Sequence, residues 1–548
     1  MSGNRSPLAP GSMTASIQSS LEEKKSEAPL RFASFIKDNT LDLSGQGLED
    51  KDIADVIVVL ERYPRIRGVD LSDNMIGDQG ASDFARLNEV ATAVDLSRNT
   101  IGAQGAKDFA QSNQLAKAVY LNGNAIGDQG AKDFAELNQV ATKVGLNDCE
   151  IGDQGASDFA KLNEVATTVD LSFNKIKARG ARAFAKENKV AKIVDLSENQ
   201  IGAKGAKRFA KNNKFLKEVN LGRNKIGDQG ARDFAYYNQV ATTVDLNGNG
   251  IGNLGVKDFA VWNRVATEVI LSDNKIGDQG IKDFAKLNQT TTEADFNSNK
   301  IGFLGAITFA VWNQFVRMVD FSFNEIGNQG AAGFARFNQV VTKVGLSYAE
   351  IGEQGATDFA RYNQVATTVE LNGNLMGSRG AAAFSLLNQV ATAVELRDCN
   401  IEDSAIDAIK KNRIILSLNL EDNPISEKNK IEIEAHVAQN RARYTGWAEV
   451  AMMVASLRAN KGNLDLGGYS DLIPLILGLI GGGAATKQDL FSFGSNPEKS
   501  TPEKIASAKF FRKLAAERGE PSSDESKKPL EQAPSVARAK PGSSSRSR

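Results

Sequence analysis

The chain has 548 residues, with 66 Lys and Arg against 67 Asp and Glu, one histidine and two cysteines. So even a balance gives no global attraction to nucleic acid or membranes, and any such contact would have to come from local patches. One histidine and two cysteines also lack the parts for a histidine-based triad, a zinc site or a disulfide framework, and no cofactor is expected.

In chain order, residues 1–35 are Ser-rich and polar without periodic apolar positions and are expected to be disordered. No charged, apolar, small-residue leader opens them, so cytoplasmic synthesis is expected. From Val69 onward the unit V-D-L-S-x-N-x-I-G-D-Q-G-A-x-D-F-A-x-x-N-x-V-A-T restarts every 25 residues. It runs from Val69 to Val394 in thirteen steps without insertion or deletion, with imperfect copies at Leu41 and Leu418. Such repetition predicts one solenoid of about 16 units over 36–425.

Within a unit, the alternation of Val69 and Leu71 predicts a short strand, with Asp70 and Ser72 on its other face. Asn74 ends the strand, where its amide can satisfy loop backbone groups. Asp78 is expected to cap the helix that follows it. Ala81, Phe84 and Ala85 recur at helical spacing and form the apolar stripe. Asn88 and its equivalents are expected to close the helix in a left-handed conformation. Cys149 and Cys399 occupy the Asn74 slot ten repeats apart, too far for a disulfide, and read as buried small residues.

Beyond the repeats, 426–518 is expected to be mostly helical and to cap the array, with helices Lys428–Arg443 and Trp447–Ala459 separated at Gly446. The apolar run within 472–485 is too short for a membrane span of roughly 20 residues. Residues 519–548 form a basic tail expected to be disordered.

The string A-x-x-V-x-L-x-x-N-x-I-G-D-Q-G-A-x-x-F-A resembles leucine-rich repeats of the ribonuclease-inhibitor type, as in innate immune receptor repeat domains and Ran GTPase-activating proteins. The resemblance implies an α/β solenoid with parallel strands on a concave face and short helices on the convex face. The 25-residue unit is shorter than the 28 or 29 residues that type more often uses, so helices should be short.

Two surfaces stand out. The concave face carries an acidic ladder, Asp95, Asp170, Asp195, Asp245, Asp295, Asp320 and Glu370, interrupted by Tyr120 and Ile270 and joined near the strand ends by Phe173, Phe323 and Tyr348. This reads either as a field for a basic protein ligand or as an Asp copied with its unit. The second surface, from Lys175 to Lys225, has fifteen Lys or Arg against four acids. Lys175, Lys177, Arg179, Arg182, Lys186, Lys189, Lys192, Lys204, Lys207, Arg208, Lys211, Lys214 and Lys217 are expected on the convex side, facing an acidic protein or anionic lipid, or simply solvent. Nucleic acid is disfavoured there, because stacking aromatics are not interleaved. Trp262, Trp312, Tyr237, Phe337 and Tyr362 read as packing between outer helices or as a docking surface.

The leading expectation is a non-enzymatic cytoplasmic scaffold that binds a protein through its concave face. The alternatives are a GTPase-activating protein of the Ran type and a bacterial effector delivered into a host cell.

Overall fold

The computed structural model describes residues 32–460, with side chains from 32 to 445. Residues 1–31 of the tail expected at 1–35, residues 461–518 of the expected helical extension with its apolar segment 472–485, and the tail at 519–548 lie outside the described residues. Phe32, within the stretch expected to be disordered, is buried ahead of a 3-10 turn at Ala33–Phe35.

The core element is a 17-stranded sheet of strands no longer than three residues. Ile36–Lys37 pairs antiparallel with Thr40–Asp42, and every later strand to Ser417–Asn419 pairs in parallel with its neighbour one repeat on. Register is strict, with Val69 opposite Val94 and Asp70 opposite Asp95. A one-residue slip would send the buried valine and leucine columns into water. Helices of 10 or 11 residues, from Asp78–Leu87 to Gly377–Leu387, pack side by side on the other side. Stacked strands sit ~4.8 Å apart and packed helices 8–10 Å apart, roughly, so repeats fan open on the helix side and strands line the inner face.

The apolar stripe behaves as its spacing predicts. Val69, Leu71, Ile76, Ala81, Phe84 and Ala85 are all buried, and their equivalents form one continuous cluster from Phe32 to Val437. Asn74 also performs its expected role: Nδ2 donates to the carbonyls of Leu43, Leu71 and Ser72, and Oδ1 accepts from the Leu48 amide. Each such asparagine therefore ties two repeats together.

Two capping expectations are corrected. The helix-closing asparagines are extended, not left-handed, with Asn88 at φ −72° and ψ 108°. Their amides fold the return loop instead: Asn88 Oδ1 accepts from Val90 (3.2 Å) and Ala91 (2.8 Å), and Nδ2 donates to the Ala91 carbonyl. The left-handed residue lies one position before the Asn74 slot, at Asp73, Arg98, Asp148 and their equivalents.

Nor does Asp78 cap its own helix. Its Oδ1 accepts the Gly102 amide of the next repeat at 2.6 Å. Asp128 does the same for Gly152, Asp153 for Lys177, Asp228 for Gly252, Asn253 for Gly277 and Asp278 for Gly302. The sequence reading missed this because a carboxylate at a helix start normally serves that helix. Stacking brings the following helix start closer than the first-turn amides.

The donor glycine responds to this cap. Where the preceding repeat supplies Asp or Asn, the glycine is extended, as at Gly102 and Gly252. Where it supplies Ala103, Ala178, Ala203, Phe303 or Glu353, the next glycine turns left-handed: Gly127, Gly202, Gly227, Gly327 and Gly377 lie at φ 60–63°. Each then donates forward to a carbonyl of the following repeat, as Gly202 does to Asn224 (2.9 Å) and Gly327 to Ala349 (2.9 Å). Lys177 and Glu402 replace this glycine only where Asp153 and Ser378 accept their amides.

After the last strand comes a single helix, Glu427–Asn460, so the expected division at Gly446 does not occur. One glycine costs a helix only about 1 kcal/mol and need not end it. Ile433 and Val437 of its first turns join the core cluster, and His436 Nε2 lies 2.7 Å from the Asn412 carbonyl oxygen.

Candidate functional site

On the strand face, successive outward positions line up across the register. Asp70, Asp95, Asp170, Asp195, Asp245, Asp295 and Asp320 each accept the amide two residues on, at 2.7–2.9 Å, as Asp295 does from Asn297. The ladder thus has a structural duty, which is to hold the chain as it leaves the strand. Asn220 discharges the same duty toward Gly222 without a charge (2.8 Å), so the negative charge itself is not required for the turn.

That charge carries a cost. Burial first, then the charges of Asp320 and Asp245, push the Asp295 carboxyl up to about 6. Burial likewise raises Asp170 and Asp245. The folded carboxyl keeps its proton to higher pH than the unfolded one, so the folded chain binds more protons between pH 3.8 and about 6. Stability therefore falls as pH rises through that window. Asp295→Asn keeps the turn bond and removes the penalty, and is expected to stabilise the chain at neutral pH by on the order of 1 kcal/mol with no gain at pH 4. Urea unfolding at the two pH values checks this, and an equal effect at both would exclude it.

A shallow depression of about 160 Å³ opens on this face between Ile270 and Glu370. Ile270 and Met318 give it apolar walls, Glu268, Glu293, Asp295 and Asp320 surround them, and the Asp320 carboxylate leans into the place that a side chain at Gly345 would take. Lys343 pairs with Glu370 at 2.9 Å, and that bond raises the lysine further above its ordinary range. Tyr120 lies elsewhere on the face, above Gly145.

Phe173, Phe323 and Tyr348 occupy the left-handed slot, at φ 53°, 53° and 50°. Most other residues there are Asp, Gly, Ser or charged. A large side chain in this conformation costs roughly 1–2 kcal/mol, yet the rings gain little burial, being 55%, 53% and 44% exposed. Phe323 and Tyr348 stack with centroids 4.6 Å apart and planes at 15°. Tyr348 in turn lies over Gly373, where a side chain would collide with its ring. The sequence placed these aromatics near the strand ends. It did not reveal their strain, although the recurring Gly123, Gly248 and Gly373 at that position were a signal.

The basic cluster divides among three settings. Arg179, Arg182 and Lys186 lie on helix Ala178–Glu187, and Lys204, Lys207, Arg208 and Lys211 on helix Gly202–Asn212. Lys189 and Lys214 follow those helices, Lys192 and Lys217 immediately precede strands, and Lys175 and Lys177 lie in the loop after a strand. Three of them form ion pairs at the surface: Lys175 with Glu150 (3.1 Å), Lys186 with Glu187 (2.6 Å) and Lys207 with Asp233 (3.3 Å).

Among the outer aromatics, Trp262, Trp312 and Phe337 are substantially exposed, whereas Tyr237 and Tyr362 pack partly against the core. Cys149 and Cys399 are buried free thiols, raised to about 12 and about 11 chiefly by burial, which makes them poor nucleophiles at neutral pH. No cluster suited to a metal ion occurs among the described residues, and no described helix is long and apolar enough to cross a membrane.

The sequence profile of the Leucine Rich repeat family matches residues 66–85, 92–110, 117–135, 167–185, 192–210, 212–235, 238–260, 267–285 and 313–335. No curated protein matches the sequence. Among solved structures, the chain is similar to the crystal structure of the TLR13–ssRNA13 complex, with 14% identity, 66% of this chain and 54% of that chain covered, and a TM-score of 0.44. The match therefore spans about half of that relative. A second similar structure is the Rad7 and Elc1 complex in yeast, with 10% identity, 60% and 85% covered, and a TM-score of 0.36.

Proposed function

The chain is a leucine-rich repeat protein, and from that premise we propose that it is a non-enzymatic scaffold that holds a protein partner against its strand face. The observation that carries this reading is the exposed Phe323–Tyr348 stack, held in a left-handed backbone beside the acidic depression. Strain without burial has no folding benefit, and paired aromatics are common anchors of interfaces. The surrounding carboxylates favour a partner with positive charge and penalise an acidic one.

Phe323→Gly with Tyr348→Gly relieves both strained positions, so the double variant is expected to be as stable as the parent or more stable by about 1 kcal/mol. Its capture of partner protein should nevertheless fall at least ~10-fold. Quantitative mass spectrometry of proteins retained by the parent and the variant, beside their urea unfolding curves, checks both parts. Retention of the same proteins in the same amounts would remove these two rings from the binding surface. Asp320→Asn, which keeps the acceptor for the Ser322 amide and removes only the charge, is expected to weaken the same capture.

A further inference from the structure

The helix side carries a second surface, independent of the strand face. Four consecutive helices, Ala178–Glu187, Gly202–Asn212, Gly227–Tyr237 and Asn253–Trp262, pack side by side. The first two present the basic cluster. Arg182, Lys189, Lys204 and Lys214 are exposed there, and among the described residues none of these four makes an ion pair. The last two helices present Tyr236 (53% exposed), Leu254 (58%) and Trp262 (37%).

The two halves are joined. Lys207 and Lys211 lie over the Tyr237 ring at 5.4 and 5.7 Å, Tyr237 meets Tyr236 edge-on at 4.8 Å, and Tyr236 meets Trp262 edge-on at 5.0 Å. Cations therefore pass without a break into the Tyr237, Tyr236 and Trp262 rings.

We propose that this surface docks on an anionic lipid bilayer, with the cations over the headgroups and the Tyr236–Trp262 strip at the interface. Charge complementarity selects an anionic occupant, and the character of the surface selects which kind. Lysines dominate it, and a lysine is a point charge on a flexible stem, suited to a diffuse layer of headgroups more than to forked pairing with individual carboxylates. Side chains that are apolar along the body and polar at the tip belong at a membrane interface. Single-stranded nucleic acid would need open ring faces, but Tyr236, Tyr237 and Trp262 engage one another edge to face.

The test is cosedimentation of the full chain with phosphatidylcholine vesicles, with and without phosphatidylserine. The parent is expected to pellet only when phosphatidylserine is present. Arg182→Glu, Lys189→Glu, Lys204→Glu and Lys214→Glu together should reduce the bound fraction at least ~10-fold, with an unchanged circular dichroism melt. The single reversals Lys189→Glu and Lys214→Glu, each expected to weaken binding several-fold, keep the result readable if the combined variant misfolds. Leu254→Ser with Trp262→Ser, which leaves every cation in place, should weaken binding to the phosphatidylserine vesicles several-fold at the same salt. Equal pelleting of parent and charge-reversed chain would overturn the proposal. So would equal binding to pure phosphatidylcholine, or binding of polyglutamate or single-stranded RNA without binding of vesicles.

Discussion

Replacing Asn174 with alanine is expected to lower the unfolding free energy by about 3 kcal/mol or more, among the largest losses any single surface-to-core position in a repeat can produce. The buried amide serves five groups. Its Oδ1 accepts from Cys149 (3.1 Å) and Ile151 (2.9 Å), and its Nδ2 donates to the carbonyls of Leu146 (2.8 Å), Leu171 (3.1 Å) and Ser172 (3.0 Å). Alanine leaves the two amides and at least the Leu146 carbonyl buried between repeats, where water does not reach them. The chain contains its own control, because Cys149, Ala349 and Cys399 occupy this slot naturally. In each case the glycine of the preceding loop is left-handed and gives its amide to the backbone carbonyl of the slot: Gly127 to Cys149, Gly327 to Ala349 and Gly377 to Cys399, at 2.8–3.1 Å, an arrangement shared by Gly202 with Asn224 and Gly227 with Asn249, so it accompanies the replacement without being confined to it. Gly152, which precedes Asn174, is instead extended and committed to Asp128. Urea unfolding of the variant decides the matter, and a loss below about 1 kcal/mol would mean that the loop rearranges.

The second large effect is a contrast between two glycines in the same slot of neighbouring repeats. Gly227 lies at φ 61° with nothing within 4 Å of an added Cβ, so Gly227→Ala isolates the conformational penalty of roughly 1–2 kcal/mol. Gly252 is extended, at φ −104°, and an added Cβ would meet Asp228 Oδ1 at an ordinary 3.6 Å. Gly252→Ala is therefore expected to be neutral or to stabilise by up to ~0.5 kcal/mol through the unfolded chain. The cause lies one repeat earlier, in Ala203 against Asp228. Ala203→Asp should accordingly rescue Gly227→Ala, giving a favourable coupling of about 1 kcal/mol in a double-mutant cycle. Additive effects would break the link between cap and glycine.

What was legible in the sequence follows from what repetition encodes. Val69, Leu71, Ile76 and Phe84 recur at fixed spacing because stacking demands one buried column per slot, so strand, helix and register could be read directly. Roles that cross from one repeat to the next were less accessible. Asp78 reads as a cap in any linear sequence, and only the stacked geometry shows that it caps its neighbour. Asn88 carries the composition of a left-handed helix end but works as a loop brace in extended backbone. The positions of Phe173, Phe323 and Tyr348 were legible, whereas their exposure and backbone strain depend on the fold. The acidic ladder looked like a binding signal or an inherited letter, and in the structure it also brackets the exit from each strand.

The loss of caps at Ala178 and Ala203 has a consequence for how the array comes apart. In a one-dimensional stack, opening starts at the weakest joint, and each joint is set by its own two neighbours. Two consecutive joints here, those into Gly202 and Gly227, lack the carboxylate clasp and rely on left-handed glycines. They form a natural seam, where amide exchange should quicken first and a protease should find its earliest foothold. The array would then part into two shorter stacks, each keeping its own zipped interior.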